Sequence, residues 1–283
     1  MRIAAIIVTY NRCRDLKQCV KALKSQTYHS DIIIVNNGST DGTKDYLNTL
    51  LSSNIKIISQ ENLGGAGGFY TGMKLAYEQG YDWIWMMDDD GLPESHQLEN
   101  LLHVADKYGF KVLNALVVDK DDHARFAFGK QELLSSVDLK ADCLSQPLSP
   151  FNGTFIHREV LEKVGFIKKE MFIWGDEQEY MARIRRVGYI PYTVTSAIHY
   201  HPKEKGKKQW AIPIIKKGQI MEKPTSMSHY FYRNLGYINW RYNSKLILLK
   251  NIIYYTIFFV RKVRYKELFK FYRYFINGIL NKY

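Results

Sequence analysis

The sequence predicts an α/β fold with a mostly parallel sheet and a C-terminal helical extension. Three observations indicate this fold. Short β-branched runs alternate with helical patterns through the first 130 residues. The predicted strands are almost continuously apolar, as strands are when helices cover both faces of a parallel sheet. From residue 228 to residue 283 the pattern is mostly helical and rich in Tyr, Phe, Lys and Arg.

Each element follows from a local pattern. Strands are predicted from apolar, β-branched runs at residues 2–8, 31–35, 55–58 and 83–87. Helices are predicted from the helical spacing of apolar residues at 14–26, 41–52, 67–79 and 181–187. The first run is too short for a signal peptide and lacks a small-residue cleavage site, so we interpret it as a buried strand. Ligands of such sheets bind beyond the carboxyl ends of the strands, where the polar motifs occur.

Charge divides the chain near residue 202. Residues 1–201 hold 22 of the 40 Lys and Arg residues and 25 of the 28 Asp and Glu residues, a net charge of −3. Residues 202–283 hold the other 18 and 3, a net charge of +15. We therefore predict two domains, 1–202 and 203–283, with residues 203–208 as a loop between them. The basic region lacks a recognised nucleic-acid module, so we expect no nucleic-acid partner.

Polar residues follow the first two predicted strands. Thr9, Asn11 and Arg12 follow the first strand, and Asn37 follows the second within the run 36–42. Their side chains and the backbone amides around them could hold a nucleotide base or ribose. Plain turns that cap the following helices are the alternative, since the same residue types favour turns and caps.

A glycine-rich run, 62–69, follows the third strand and opens a helix. Its sequence is Asn-Leu-Gly-Gly-Ala-Gly-Gly-Phe. Glycines let a ligand approach the backbone closely, and a helix N-terminus favours an anionic diphosphate. The run is neither a Walker A loop nor a dinucleotide fingerprint, which would follow the first strand. A purely structural turn is the alternative.

Three adjacent carboxylates, Asp88, Asp89 and Asp90, follow the fourth strand. At the end of a buried apolar strand they would repel one another strongly without a cation among them. Alternation along an extended chain puts Asp88 and Asp90 on one side and Asp89 on the other. Mg²⁺ or Mn²⁺ held by carboxylates completes its shell with water and substrate phosphates. The motif therefore predicts a divalent cation, and a solvated acidic turn is the alternative.

Two further motifs lie C-terminal to these strands. The run Trp-Gly-Asp-Glu-Gln-Glu begins at Trp174, which could stack on a sugar or belong to the core. Asp176 could abstract a proton from an acceptor hydroxyl, or it could cap the next helix in a capping box with Glu179. His199 and His201 follow, and one of them could complete the metal shell, although an isolated histidine is more often structural.

Taken in order, these motifs resemble glycosyltransferase family 2, whose members are inverting enzymes with the GT-A fold. The resemblance covers residues 1–202, and the run 62–69 with the three aspartates looks most like the galactofuranosyltransferase branch. It implies a Rossmann-like nucleotide-sugar-binding domain. It also implies transfer of galactofuranose from UDP-galactofuranose to a hydroxyl of a cell-surface polysaccharide or lipid-linked glycan precursor. A rhamnosyltransferase or another hexosyltransferase is the alternative within the family.

The resemblance implies roles for single residues. Asp176 would be the catalytic base, and Asp88, Asp90 and His201 would hold Mn²⁺ or Mg²⁺. His201 fits the family's metal histidine by its distance of 13 residues from Gly188. The donor site would comprise Thr9, Asn11, Arg12, Asn37, Asn62, Gly64, Gly65, Asp89, Trp174 and Glu177. Asp89 would face the donor sugar or the protein. Asn36-Asn37 departs from the acidic pair that many members carry.

Partners and location follow from composition and resemblance together. Three cysteines form neither a ligand cluster nor an even-numbered disulfide framework, so we expect a reducing compartment, the cytoplasm. Residues 246–260 are too short and too polar to span a membrane. Basic and aromatic residues interleaved from 261 to 275 suit a helix on an anionic membrane surface, at the inner face of the cell membrane. The expected partners are a UDP-sugar and a glycan acceptor on a lipid carrier. A helical cap or an interface between two copies of the chain is the alternative for the basic region.

Two other classes of protein fit the sequence less well. A nucleotidyltransferase would carry a basic glycine-rich loop after the first strand, whereas residues 9–14 contain no glycine. An inactive scaffold that binds glycan or lipid would not need the carboxylates and the histidine. The presence of Asp88, Asp90, Asp176 and His201 argues against such a scaffold.

Overall fold

The computed structural model describes residues 1–50, 52–128, 134–136, 139–145, 151–203, 207–214 and 216–283. Within these ranges the strands are β1 (Ile3–Thr9), β2 (Asp31–Asn36), β3 (Ile55–Ser59), β4 (Trp83–Asp88), β5 (Leu92–Pro93), β6 (Val112–Asp119), β7 (Cys143–Leu144), β8 (Thr154–His157), β9 (Tyr192–His201), β10 (Lys207–Ile212) and β11 (Lys217–Glu222). The helices are α1 (Cys13–Lys24), α2 (Thr43–Asn48), α3 (Gly64–Glu78), α4 (Gln97–Tyr108), α5 (Arg158–Val164), α6 (Asp176–Arg186), α7 (Ser228–Arg241), α8 (Lys245–Arg261) and α9 (Tyr265–Ile279).

The chain divides into two compact units. The first comprises Met1–Lys169 and Tyr180–Glu204, and the second comprises Glu170–Glu179 and Lys205–Tyr283. The division into domains at residues 202 and 203 stays a prediction. Of the loop predicted at 203–208, residues 204–206 lie outside the described residues, and β10 begins at Lys207.

The first unit is built on one sheet with the strand order β3-β2-β1-β4-β8-β6-β9-β5, and β7 pairs with β9. β1 lies parallel to β2 and β4, and β2 lies parallel to β3, as the sequence predicts. β8 is antiparallel to both β4 and β6, so the sheet is mixed. The register pairs Thr9 with Asn36 and Val8 with Asp88. The carboxyl ends of β1, β2 and β4 therefore meet at one edge of the sheet.

Both faces of this sheet are covered, which explains why β1 is apolar at almost every position. Ala5 and Ile7 of β1 join one apolar cluster with residues of α1, among them Leu16. Ile6 joins the opposite cluster with residues of α3, among them Met73. Successive side chains of a strand point to opposite faces, so a strand buried on both faces shows no polar alternation.

Several helix boundaries differ from the sequence-based expectation. α3 begins at Gly64 rather than at residue 67, so the glycines lie inside its first two turns. Glycine is a poor helix former, which hides this start from a propensity argument. α2 is shorter than the predicted 41–52 and covers Thr43–Asn48. The helix predicted at 181–187 begins at Asp176.

The second unit contains the antiparallel hairpin β10–β11 and the helices α7, α8 and α9. The predicted helical character of residues 228–283 is confirmed, whereas the hairpin was not predicted. Aromatic side chains form its core, and Tyr255 stacks on Phe271 with ring centroids 4.8 Å apart. Among the described residues, no helix combines the length and apolar character that crossing a membrane requires.

Two glycines let α7 and α9 touch through their backbones. A Cβ atom on Gly236 would lie 2.1 Å from the carbonyl oxygen of Phe275, and one on Gly278 would lie 1.8 Å from that of Arg233. No larger residue fits at either position without a shift of the helix axes. The contact is reciprocal, so each helix supplies the glycine that the other requires.

Candidate functional site

The three predicted metal ligands meet at the carboxyl edge of the sheet in the first unit. Asp88 ends β4, Asp90 lies in the turn that follows, and His201 ends β9. One ligand atom from each lies within 4.8 Å of the others. His201 Nε2 lies 2.9 Å from Asp90 Oδ1. Two residues from one strand end and one from another therefore form a single cluster, although 111 positions separate Asp90 from His201.

Asp89 points the other way, as the alternation argument requires. Its Oδ2 accepts a hydrogen bond of 2.7 Å from the hydroxyl of Thr9, at the end of β1. Both residues are buried. The side chain of Asp89 therefore faces the protein, and its hydrogen bond with Thr9 joins the end of β1 to the end of β4.

Arg12 neutralises part of this acidic edge. Its guanidinium forms a hydrogen bond with Asp90, and it lies 3.4 Å from Asp89. The side chain is half exposed. Arg12 thus follows the first strand, as its place in the sequence suggested, and contacts two of the three aspartates.

The pKa values of the three aspartates differ because their surroundings differ. Burial, together with the charge of Asp90, raises the pKa of Asp88 to about 7. Burial raises the pKa of Asp89 to about 6, although the hydrogen bond from Thr9 lowers it. Burial also tends to raise the pKa of Asp90. His201 and Arg12 outweigh that effect through their hydrogen bonds and charges, and they lower the pKa of Asp90 to about 2. The cluster holds more negative charge than its environment stabilises, and a cation would relieve that imbalance.

The two neighbouring histidines have different surroundings. Burial lowers the pKa of His201, but Asp90 and then Asp88 raise it above the ordinary value overall. His199 is fully buried, its Nδ1 lies 3.0 Å from Gln97 Oε1, and burial lowers its pKa to about 3. A Cβ atom on Gly91 would lie 2.3 Å from His199 Nε2. His201 therefore faces the aspartates, and His199 packs as a neutral residue behind Gly91.

The loops after β1 and β2 are joined by hydrogen bonds. Asn11 has a positive φ of 53°, and its side-chain oxygen accepts a bond of 2.6 Å from the backbone of Thr40. Its own backbone N–H donates to Ser39 Oγ at 3.0 Å. Asp41 accepts from the backbone of Cys13 at 3.1 Å and from that of Thr43 at 3.0 Å. These hydrogen bonds join the two loops at the carboxyl edge of the sheet and stabilise their turns.

Asn37 fixes the start of α3. Its side-chain nitrogen donates to the carbonyl oxygen of Gly64 at 2.7 Å, and its side-chain oxygen accepts from Gln60 at 2.6 Å. Asn62 Oδ1 accepts from the backbone N–H of Gly64 at 2.9 Å. Gly64 has a φ of 72°, a conformation that suits glycine. These bonds hold the glycine-rich run at the same edge as the aspartates.

The glycines of the run serve different purposes. A Cβ atom on Gly68 would lie 2.3 Å from Val8 Cγ1, so this glycine allows α3 to pack against β1. A Cβ atom on Gly67 would lie 2.4 Å from Leu63. A Cβ atom on Gly65 would meet nothing within 4 Å. Gly65 therefore has open space beside its backbone, unlike Gly67 and Gly68.

The segment that carries Asp176 belongs to the second unit. Phe172 and Trp174 have positive φ values of 66° and 63°, and Gly175 has a φ of 95°. The carbonyl of Gly175 accepts the backbone N–H of Glu179 at 2.9 Å, so Gly175 occupies the N-cap position of α6. Asp176 is the first helical residue and is buried.

The capping box considered as an alternative puts Asp176 at the N-cap position, whereas Gly175 occupies it. Glu177 Oε2 accepts from the backbone N–H of Gly175 at 3.2 Å. Glu179 Oε1 accepts from the hydroxyl of Tyr242 at 2.7 Å. The ring of Trp174 lies 4.7 Å from Lys223 Nζ, a cation–π contact within the second unit.

Sequence reasoning missed two residues that fix this segment. The side-chain amide of Asn234, in α7, lies 2.8 Å from the carbonyl oxygen of Met171, 3.0 Å from that of Ile173 and 2.9 Å from that of Trp174. Arg233 donates to the carbonyl oxygen of Glu170 at 2.7 Å. Both are buried. An Arg-Asn pair inside an otherwise apolar, aromatic helix is the signal that could have identified them.

The chain is similar in sequence and in structure to several known proteins. The family described as Glycosyl transferase family 2 matches residues 4–165. The chain is 32% identical over 251 residues to galactofuranosyltransferase GlfT1 of Mycobacterium tuberculosis, with 83% of this chain and 81% of that protein covered. It is similar in structure to S. aureus TarS 1–349, with a TM-score of 0.63 at 15% identity, covering 99% of this chain and 81% of that one.

A third comparison concerns a solved complex with nucleotide sugar and metal. Mannosyltransferase PcManGT from Pyrobaculum calidifontis, in complex with GDP-Man and Mn²⁺, has a TM-score of 0.56 at 15% identity, covering 96% of this chain and 73% of that one. At such identities a structural likeness indicates a shared fold.

Proposed function

We propose, starting from the fact that this chain belongs to glycosyltransferase family 2, that it transfers galactofuranose from UDP-galactofuranose to a hydroxyl of a glycan acceptor. The family and the GT-A fold expected from the motifs are confirmed, and the chain is a glycosyltransferase. The choice of galactofuranose is supported by relatives named galactofuranosyltransferase, one of them 32% identical over 83% of this chain.

The cluster of Asp88, Asp90 and His201 is the observation that carries the metal part of the proposal. Two carboxylates and one imidazole nitrogen form a donor set that suits Mn²⁺ or Mg²⁺. The pKa of Asp88, raised to about 7 by burial and by Asp90, indicates that Arg12 and His201 compensate the negative charge of the cluster only in part. These residues therefore fit a divalent cation. When bound, the ion would stabilise the negative charge of the departing UDP.

Asp176 is the proposed catalytic base. The acceptor hydroxyl gives its proton to the Asp176 carboxylate, and its oxygen forms a bond to the anomeric carbon as the bond from that carbon to UDP breaks. UDP leaves with the electron pair of the broken bond, and the configuration at the anomeric carbon inverts. This assignment rests on the family resemblance. It is supported by the buried position of Asp176 at the start of α6 and by the hydrogen bonds that fix the preceding segment.

The donor-binding assignments are proposals of the same kind. Gly65 is supported by the open space beside its backbone, and Arg12 by a half-exposed cation beside the aspartates. Thr9, Asn37 and Asp89 are buried, so we propose that they shape the donor site through Asp89–Thr9 and Asn37–Gly64 hydrogen bonds. Direct contacts with the donor are proposed for Asn11, Asn62, Trp174 and Glu177.

The acceptor and the location are part of the proposal. We propose a glycan on a lipid carrier as the acceptor, a cell-surface polysaccharide as the final product, and the cytoplasmic face of the membrane as the place of work. The net charge of +15 over residues 202–283 supports attraction to an anionic membrane surface. Assembly of two or more copies of the chain stays a prediction.

The test is release of UDP from UDP-galactofuranose in the presence of a water-soluble synthetic glycan acceptor. We expect release that depends on the acceptor and on Mn²⁺ or Mg²⁺, and no release from UDP-galactopyranose, which differs only in ring size. Release from another nucleotide sugar, such as dTDP-rhamnose, would contradict the donor assignment. Absence of release from every donor would favour the inactive scaffold.

A further inference from the structure

Helix α8 exposes apolar side chains along one side. Leu246, Leu249, Ile253 and Val260 are exposed, Leu246 by 60%. Their spacing of three, four and seven residues puts them on one face of the helix. The opposite face of α8 packs into the aromatic core of the second unit through Phe258 and its neighbours. A surface helix of a globular protein is normally polar on its outer face, and α8 is apolar on both.

Helix α9 has a matching face. Tyr265, Phe269, Ile276 and Leu280 are exposed at spacings of four and seven residues, and Phe269 is 75% exposed. Phe271 and Phe275 point to the opposite side and are buried. Both C-terminal helices of the second unit therefore present an apolar stripe away from its core.

The two stripes lie side by side. The Thr256 hydroxyl and the Tyr272 hydroxyl are 2.6 Å apart. Thr256 is on the side of α8 that carries Ile253 and Val260, and Tyr272 is on the side of α9 that carries Phe269 and Ile276. Their hydrogen bond therefore lies between the stripes. At the turn that joins the helices, Val263 is 71% exposed and continues the apolar surface. We call this the two-helix surface, formed by Leu246, Leu249, Ile253, Val260, Val263, Tyr265, Phe269, Ile276 and Leu280.

The exposed charged side chains of α8, α9 and the turn between them are basic, although Glu222 of β11 forms an ion pair with Arg264 at that turn. Exposed basic residues flank it on both helices and at the turn: Lys245, Lys250, Lys262, Lys266 and Arg273. From residue 223 to the C-terminus, the one acidic residue in the sequence is Glu267. Glu267 is buried and accepts hydrogen bonds from Ser228 at 2.5 Å and from Tyr232 at 3.0 Å. The surface thus combines exposed apolar side chains with basic residues and presents no exposed carboxylate from this stretch.

We propose that the two-helix surface lies flat on an anionic phospholipid bilayer, with α8 and α9 in the plane of the membrane. The leucine, isoleucine and aromatic side chains reach the boundary between headgroups and acyl chains, and the lysines contact lipid phosphates. Charge complementarity favours this occupant, because a purely apolar partner would leave the flanking cations uncompensated. The inference rests on the proposed function in one respect, since a lipid-linked acceptor would be presented at such a surface.

The experiment is co-sedimentation of the full chain with vesicles of phosphatidylcholine alone or with added phosphatidylglycerol. We expect binding to the anionic vesicles that high salt weakens, because screening shortens the reach of the charges. The double variant Leu249→Ser/Phe269→Ser should bind roughly tenfold more weakly or worse, since each lost side chain removes apolar burial. The double variant Lys250→Gln/Lys266→Gln should bind the anionic vesicles about fivefold more weakly for each positive charge removed.

Matched controls separate this surface from general effects. Ile190→Ser removes an exposed apolar side chain in the first unit, and Lys21→Gln removes an exposed charge on α1. Both should bind vesicles like the unmodified chain. Circular dichroism of every variant shows whether it is folded, and substitutions at such exposed positions should leave the fold intact.

Three outcomes would overturn the inference. They are equal binding to neutral and anionic vesicles, unchanged binding by the Leu249/Phe269 variant, and a dimer in light scattering that this variant dissociates. The last result would identify the surface as an interface between two copies. UDP release with the water-soluble acceptor separates this inference from the proposed function. A chain that turns over substrate but ignores vesicles refutes the surface alone, and a chain that binds vesicles without turnover refutes the function alone.

Discussion

The side-chain amide of Asn234 donates to the carbonyl oxygen of Trp174 at 2.9 Å, two residues before Asp176. The same amide lies within hydrogen-bond distance of the carbonyls of Met171 and Ile173. One buried side chain thus holds a segment in which Phe172 and Trp174 adopt left-handed backbone conformations. Such conformations cost free energy and persist only where the surroundings fix them.

We expect Asn234→Asp to lower turnover by at least about tenfold, because the substituted carboxylate cannot donate to these carbonyls and repels them. The free energy of unfolding should fall by about 1–3 kcal/mol. Steady-state kinetics and thermal unfolding measure the two effects. Asn48→Asp, at an exposed position in α2, is the control. Normal turnover in a folded Asn234→Asp variant would show that the segment needs no such clamp.

Asp176→Asn tests the base directly. Replacing the carboxylate by an amide of the same shape removes the proton acceptor, so we expect turnover to fall by roughly 10²–10⁴-fold. UDP binding, measured by calorimetry, should change little, since the base acts on the acceptor. The exposed Asp45→Asn serves as the matched control. Turnover close to normal would contradict the assignment.

Substitutions of the two histidines should separate an effect on metal binding from an effect on packing. His201→Ala removes the imidazole nitrogen that lies 2.9 Å from Asp90, so about ten times more Mn²⁺ should be needed for half-maximal UDP release. His199→Ala removes a buried ring that faces Gln97 and should lower the free energy of unfolding, with a smaller effect on the Mn²⁺ requirement. Titrations with Mn²⁺ and thermal unfolding give both numbers. The opposite pattern would make His199 the ligand.

The carboxyls of Asp88 and Asp89 should make the metal-free chain less stable as the pH rises from about 4 to 7. The pKa of Asp88, raised to about 7, and that of Asp89, raised to about 6, both lie above the ordinary value of 3.8. At these two carboxyls the folded chain binds more protons than the unfolded chain in this window, so their contribution to stability is lost as those protons leave. The pKa of His199, lowered to about 3 by burial, acts in the opposite direction below pH 6.5, so the contribution of Asp88 has to be measured as a difference between variants.

Mn²⁺ should counter this loss most strongly at the upper end of the window, where the ligands are deprotonated. Thermal unfolding between pH 5 and 7.5, with EDTA or with Mn²⁺, measures both trends. In EDTA the stability of Asp88→Asn relative to the unmodified chain should rise with pH, because the titrating carboxyl is gone. A constant difference between the two profiles would contradict the explanation.

Gly65 and Gly68 form a matched pair within α3. Gly68→Ala places a Cβ atom 2.3 Å from Val8 Cγ1 and should destabilise the fold by about 1–3 kcal/mol. Gly65→Ala meets no atom within 4 Å and should leave stability unchanged or slightly higher. If the donor approaches the backbone there, Gly65→Ala should weaken UDP binding while the chain stays folded. Unchanged UDP affinity would remove Gly65 from the donor site.

Local patterns in the sequence predicted the half of the sheet formed by β1 to β4. These strands are apolar on both faces and alternate with helices, so each could be recognised within a short window. β8 could not be recognised in this way. It inserts antiparallel between β4 and β6, and that pairing depends on residues far apart in sequence. The same limit applies to β10 and β11.

The acidic cluster was predictable because three adjacent carboxylates after an apolar strand are conspicuous. Its completion by His201 came from the family resemblance, since the sequence offers two histidines two positions apart. Only the fold distinguishes them. Both lie on the same face of β9, but His201 ends the strand beside Asp90, whereas His199 lies two residues earlier and contacts Gln97. Asn234 was missed for a related reason. Its partners are backbone carbonyls about 60 residues away, which leave no trace in side-chain composition.

The reciprocal contact between Gly236 and Gly278 has a consequence for the proposed base. Gly236 lies two residues after Asn234 on α7, and Asn234 fixes the segment before Asp176. A larger side chain at Gly278 would push α7 away from α9 and would move Asn234 with it. The proposed chemistry would thus be sensitive to a position on a helix that contributes no residue to the site.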